Sequence, residues 1–112
     1  MSTNIFTDII EKKLPAEIVY ENEKILAIKD KYPQAPVHIL IMPKKGYKDL
    51  QSLPKDEMGI LADIVTCAQE LAVKYNVANE YRLLTNNGRE AGQTIFHLHF
   101  HLIGGRRLGP MA

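Results

Sequence analysis

Phe96-His97-Leu98-His99-Phe100-His101-Leu102-Ile103 alternates imidazole and apolar side chains with a period of two. That is the period of a β-strand, whose successive side chains point to opposite faces. His97, His99 and His101 therefore share one face. Leu98, Phe100 and Leu102 share the other, which can face a core. The strand is expected over residues 95–103, stopping at Gly104-Gly105. One buried face is enough to hold a strand, so imidazoles on the other face are expected to cost the fold little. Three of the chain's four histidines crowd into this stretch. A solvated face that merely tolerates histidine does not call for such density.

Working outward, residues 81–85 form a preceding strand, and Asn86-Asn87-Gly88 opens a polar loop. Upstream lies the clearest helix, following Ser52-Leu53-Pro54, with Ser52 or Asp56 as its cap. Leu61, Ile64, Val65, Ala68, Leu71, Ala72 and Tyr75 recur at helical spacing as one stripe that must face a core, and Asn76 ends it. Cys67 falls within this pattern as a small buried hydrophobe. Ile18-Val19-Tyr20 and Ile25-Leu26-Ala27-Ile28 predict a hairpin about Asn22, and Pro33 and Pro36 bracket a loop. His38 to Met42 is a buried strand closed by Pro43. Ile5, Phe6, Ile9, Ile10 and Leu14 give a short N-terminal helix that stops before Pro15. Strands outnumber helices and most connections are hairpin-length. The expected fold is α+β: a mostly antiparallel sheet with one long and one short helix covering one of its faces.

The 112 residues fit a single domain over 1–112. A formal charge of +1, with Lys44-Lys45 and Arg106-Arg107 as pairs rather than stripes, gives no footprint for nucleic acid. One cysteine excludes an intrachain disulfide and a cysteine-built zinc site. Residues 1–14 mix Asp8, Glu11, Lys12 and Lys13 with apolar residues, unlike a signal or transit peptide. The longest apolar run, Ile39-Leu40-Ile41-Met42, is far too short to span a bilayer. A soluble cytoplasmic protein without membrane contact is expected.

Three same-face histidines admit a metal or phosphate. Alternate residues on a strand lie about 6.6–6.8 Å apart, which separates His97 from His101 by about 13 Å. One ion with bonds of about 2 Å does not take all three without strong bending. Phosphoryl chemistry suits the spacing better, because histidine is a nucleophile, a proton carrier and a cationic donor to phosphate oxygens. The segment just upstream, Asn86-Asn87-Gly88-Arg89-Glu90-Ala91-Gly92-Gln93-Thr94, supports this. Gly88 and Gly92 permit close backbone approach and anion-holding amides, while Asn86, Gln93 and Thr94 add side-chain donors.

His97-Leu98-His99-Phe100-His101-Leu102-Ile103 resembles the His-φ-His-φ-His-φ-φ signature of the histidine-triad (HIT) family. The likeness spans nearly the whole chain. Ile5-Phe6, Pro15-Ala16, the run from Pro33 to His38, Met42-Pro43-Lys44-Lys45, Gly92-Gln93-Thr94 and Gly104-Gly105-Arg106 look like its Hint branch, the histidine-triad nucleotide-binding proteins. The resemblance implies a five-stranded HIT-like fold that dimerises into a continuous ten-stranded sheet. It implies a purine nucleotide substrate, such as an adenosine phosphoramidate or an aminoacyl-adenylate-type compound, and no cofactor.

By the same resemblance His99 is the nucleophile that forms a covalent nucleotidyl-histidine, and His101 contacts phosphate oxygens. Thr94, where the family commonly has serine, places a hydroxyl near the leaving group. His97 supports the nucleophile, and His38 stands behind the triad. Asp30 matches the carboxylate that binds the ribose hydroxyls, and Ile5, Phe6, Ile9 and Ile28 the apolar walls around the base. Lys31 stands where close relatives often carry isoleucine, which bears on base selectivity. Asn4 and Thr7 stand where some relatives carry a zinc-binding cysteine pair, so no metal is expected. The intact third histidine separates the chain from the uridylyltransferase branch. Two other functions compete with hydrolysis of phosphoramidates: a nucleotide-binding scaffold acting through partners, and dinucleoside polyphosphate hydrolysis.

Overall fold

The computed structural model describes residues 4–111. Met1, Ser2 and Thr3 of the N-terminal stretch and Ala112 of the tail lie outside the described residues. The elements run α1 (Ile5–Ile10), β1 (Ile18–Glu21), β2 (Ile25–Lys29), β3 (Val37–Pro43), α2 (Gly59–Lys74), β4 (Tyr81–Leu84) and β5 (Phe100–Gly104). All five strands join one sheet in the order β1-β2-β3-β5-β4, and every neighbouring pair is antiparallel.

The hairpin between β1 and β2 is set by Asn22. Its side-chain oxygen accepts the backbone N–H groups of Lys24 at 2.9 Å and Ile25 at 2.8 Å, a local bond that competes well with strand pairing and closes the turn. On β2 and β3 the side chains alternate between two buried faces. Ile25, Ala27, Ile39 and Ile41, with Leu102 of β5, pack against Ile64, Cys67, Ala68 and Leu71 of α2. Leu26, Ile28, Leu40 and Met42 pack against Phe6 and Ile9 of α1. The two helices therefore cover opposite faces, whereas the sequence suggested that they share one. A doubly buried strand reads as a continuous apolar run, which is why β2 and β3 show so little polar alternation. Burying a side chain such as Ile41 or Leu102 completely stabilises by about 1.5–3 kcal/mol.

Three further expectations change. First, α2 begins at Gly59 after a short 3-10 turn at Lys55–Glu57, and neither Ser52 nor Asp56 caps it. Ser52 is committed elsewhere: its N–H and hydroxyl both donate to the Asp49 carboxylate. Second, Val65 is 42% exposed and lies off the core stripe, which runs instead through Ile64, Cys67, Ala68, Leu71 and Ala72. Burial pushes the Cys67 thiol up to about 12, in keeping with an inert core position. Third, β5 starts at Phe100, not at residue 95. Pro43 closes β3 because it has no N–H to continue the ladder. Where the ladder stops, the Pro43 carbonyl accepts a hydrogen bond from His97 Nε2 at 2.8 Å, and Leu98 N–H donates to the Tyr47 carbonyl at 2.7 Å. Residues 95–99 thus approach β5 as a bent segment held by single bonds. No helix among the described residues is long and apolar enough to cross a membrane.

Candidate active site

The histidines sit on the α1 face of the sheet. His38 lies on β3 and His101 on β5, where Leu40 pairs with His101 and Ile103 with His38. This diagonal register on one face brings the two rings together, with centroids 5.2 Å apart. His99 stands 5.2 Å from His101 on the other side and meets the edge of the Phe6 ring at 4.9 Å. His97 lies beneath, edge-on to Phe6 at 6.1 Å. The rings are not a solvated strand face: His97 is 1% exposed, His38 5% and His99 9%. The fold buries them, against the expectation that they would cost it little.

Hydrogen bonds assign the ring protons. A carbonyl can only accept, so His99 Nδ1, 2.7 Å from the His97 carbonyl, carries the proton and Nε2 is left with a free lone pair. His97 donates through Nε2 to Pro43, which makes its Nδ1 an acceptor; that buried atom has no protein partner. Gln34 N–H donates to His38 Nδ1 at 3.1 Å, so Nε2 of His38 carries the proton. It lies 3.0 Å from His101 Nδ1 and 3.3 Å from Asp30 Oδ2. His101 Nδ1 accordingly accepts, and its N–H is on Nε2.

Burial lowers the proton affinity of all four rings. It outweighs the Pro43 carbonyl at His97, the His97 carbonyl at His99 and the Asp30 carboxylate at His38. At His101, burial and then the neighbouring His99 and His38 bring the value down to about 4. At pH 7 His101 is therefore a neutral ring whose N–H sits on Nε2.

The upstream loop is built as a frame. Gly88 and Gly92 adopt φ of 93° and 103°, which side-chain-bearing residues rarely adopt. Between them runs a 3-10 turn, Arg89–Ala91, and the Asn86 side chain lies against Gly92. Gln93 is buried, and its amide is fully engaged: the oxygen accepts from Gly88 N–H, while Nε2 donates to the carbonyls of Lys48 and Ile95. It supplies no free donor to a ligand and acts by shaping the loop. Thr94 is exposed between this frame and the histidines.

Asp30, just after β2, accepts the Tyr32 N–H through Oδ1 and keeps Oδ2 beside His38. Of the expected base walls, Phe6, Ile9 and Ile28 are buried, whereas Ile5 is 49% exposed on α1. Lys31 is exposed, with its ammonium 5.9 Å from the Tyr32 ring centre. Asp30, His38 and His101 bring donor atoms within 4.8 Å of one another, close enough for one ion. However, the Gln34 amide fixes an N–H, not a lone pair, on the His38 nitrogen that faces the group. The trio is therefore suited to passing a hydrogen bond rather than ligating a metal. Two clefts of about 660 and 570 Å³ lie elsewhere on the surface, and one of about 120 Å³ reaches Asp30 and His38. Chemistry, not cleft size, locates the site.

Sequence reasoning missed Thr85, whose hydroxyl donates to the His99 carbonyl at 2.6 Å and steadies the bent segment beside the ladder's end. It also missed Gln34, which acts through its backbone N–H and so leaves no side-chain signal.

A HIT domain family model matches residues 11–108. The chain belongs to the HIT family. A HIT-like protein of Chlamydia pneumoniae is 50% identical over 108 residues, covering 96% of this chain and 98% of that protein. The purine nucleoside phosphoramidase of Escherichia coli K12 is 39% identical over 108 residues, 96% of this chain and 91% of its own. A solved HIT family hydrolase from Clostridium thermocellum superposes with a TM-score of 0.94 at 44% identity, covering 99% of this chain and 97% of that one. The five-stranded HIT fold is thus shared along almost the full length.

Proposed function

We propose that this HIT-family chain is a purine nucleoside phosphoramidase acting through a covalent nucleotidyl-histidine. The observation that carries the reading is the His99 Nδ1 bond to the His97 carbonyl, which leaves the Nε2 lone pair free to attack. In the first step His99 Nε2 bonds to the α-phosphorus, the P–N bond to the amine breaks, and the amine departs with a proton drawn from solvent. In the second step water attacks the same phosphorus, returning a proton to solvent, and the P–Nε2 bond breaks, giving a nucleoside monophosphate and regenerating the ring.

His101 Nε2–H and the Thr94 N–H stabilise the phosphate oxygens, in the manner of preorganised donors; the N–H groups of Gly88, Ala91, Gly92 and Gln93 are bonded within the loop and shape it instead. Thr94 places its hydroxyl beside the leaving group, and His97 and His38 orient the reacting rings. Asp30 receives the ribose, with Lys31, Asn86, Gly92 and Gln93 bordering the nucleotide and Ile5, Phe6, Ile9 and Ile28 walling the base. The likeness to the Escherichia coli phosphoramidase supports this substrate class. We further propose a homodimer that extends the sheet across the edge strand β4, where Tyr81 begins the strand and is partly exposed. Steady-state kinetics on adenosine phosphoramidates with varied amines, beside a dinucleoside polyphosphate, test the assignment. Turnover of the phosphoramidates that disappears in His99→Ala supports it; a preference for the polyphosphate contradicts it.

A further inference from the structure

One connection runs from beyond the end of β5 back to His101. Arg106 sets Nε and Nη2 on the Gln34 carbonyl at 3.0 and 2.8 Å, and Nη1 on the Arg107 carbonyl at 2.6 Å. Gln34 lies in the loop between β2 and β3, and its own N–H donates to His38 Nδ1. The preceding residue, Gly105, has φ +94° and packs on the same loop: a Cβ there would stand 3.0 Å from Pro36 Cβ. Two successive residues therefore clamp the loop from outside.

The clamp matters because a neutral imidazole has a single N–H, placed by its partners. With Gln34 N–H on Nδ1, His38 donates from Nε2 and His101 receives on Nδ1. A slip of His38 to the other tautomer would reverse that bond. His101 would then carry its proton on Nδ1, leaving a lone pair on Nε2, which repels phosphate oxygens. Asp30 Oδ2, whose side chain is 19% exposed, favours the same His38 tautomer from the solvent side.

We propose that Arg106 is a positioning residue: by holding Gln34 it fixes the tautomer of His38, and through it turns the N–H of His101 toward the phosphate. This rests on the reading of His101 as the phosphate donor. The test compares the wild type with Arg106→Ala, Arg106→Lys and Arg107→Ala, using long-range 1H–15N spectra of labelled histidines together with phosphoramidate kinetics. In Arg106→Ala, His38 is expected to populate both tautomers and kcat to fall roughly tenfold, the scale of one charge-assisted hydrogen bond, with KM moving less. Millimolar guanidinium restores part of the rate. Arg106→Lys, which keeps one donor but not the fork, falls between, and serves if the alanine variant fails to fold.

Arg107→Ala matches the charge change and should leave both readouts at wild-type values. A fall in kcat without a tautomer change, a tautomer change without a fall, or an equal loss in Arg107→Ala would overturn the proposal. A wild-type protein that turns over no phosphoramidate would sink the proposed activity alone, and the tautomer comparison would then decide this inference by itself.

Discussion

At the residue scale, His101 carries two loads that lower its proton affinity: burial, and two imidazoles facing it from β3 and from the bent segment. His99, the proposed nucleophile, is lowered chiefly by burial, which favours its unprotonated form. The acid limb of kcat/KM, which reports the free enzyme, is therefore expected below the ordinary histidine value of 6.5. A pH profile from 4.5 to 8 checks this, and an acid limb centred at or above 6.5 would contradict the assignment of His99 and His101. The alternation of His97, His99 and His101 made the triad legible in the sequence, because period two survives even where the strand ladder does not. Their protonation was not legible, since it depends on the Pro43 and His97 carbonyls and the Gln34 amide, none of which is a side chain.

At the element scale, the loop from Gly88 to Thr94 keeps its shape through one buried amide. Gln93 ties Gly88, Lys48 and Ile95 together, and Gln51 N–H is bonded to Asn87 at 2.7 Å beside it. Gln93→Ala removes three hydrogen bonds and leaves buried partners unpaired, at a cost of about 1–3 kcal/mol. Denaturant unfolding should show that loss, and kcat/KM should fall with it; an unchanged midpoint and rate would mean the frame is held some other way. The glycines were legible as loop makers, and both adopt the left-handed conformations that justify them. The start of β5 was not legible, because it is set by Pro43 on a strand more than fifty residues earlier. Nor was the division of the helices between two faces: an apolar run on β2 or β3 does not say which helix covers which side.

At the scale of the whole molecule, enclosing four histidines, three of them buried and His101 half-buried, links folding to pH. Their folded values lie below 6.5, so the unfolded chain takes up protons that the folded chain refuses as pH falls from 6.5 toward about 4. Stability from this source is complete above 6.5 and lost on acidification. The lowered carboxylates Glu21 and Glu57 have the same sign but act below 4.5, leaving the window from 6.5 to 4.5 to the histidines. Melting temperature should be level above pH 7 and fall through that window; a rise on acidification would contradict it. The free β4 edge leads to a second expectation, a solution mass by light scattering of two chains, which a monomer at micromolar concentration would overturn.

In the proposed reaction His99 Nε2 becomes bonded to phosphorus. Reaction mixtures of the wild-type protein with an adenosine phosphoramidate, rapidly quenched in base because the P–N bond to imidazole is acid-labile, then digested and read by mass spectrometry, test it directly. The predicted result is an adenylyl adduct on His99 that forms during turnover and is absent from His99→Ala. An adduct on another residue, or full turnover by His99→Ala, would contradict it.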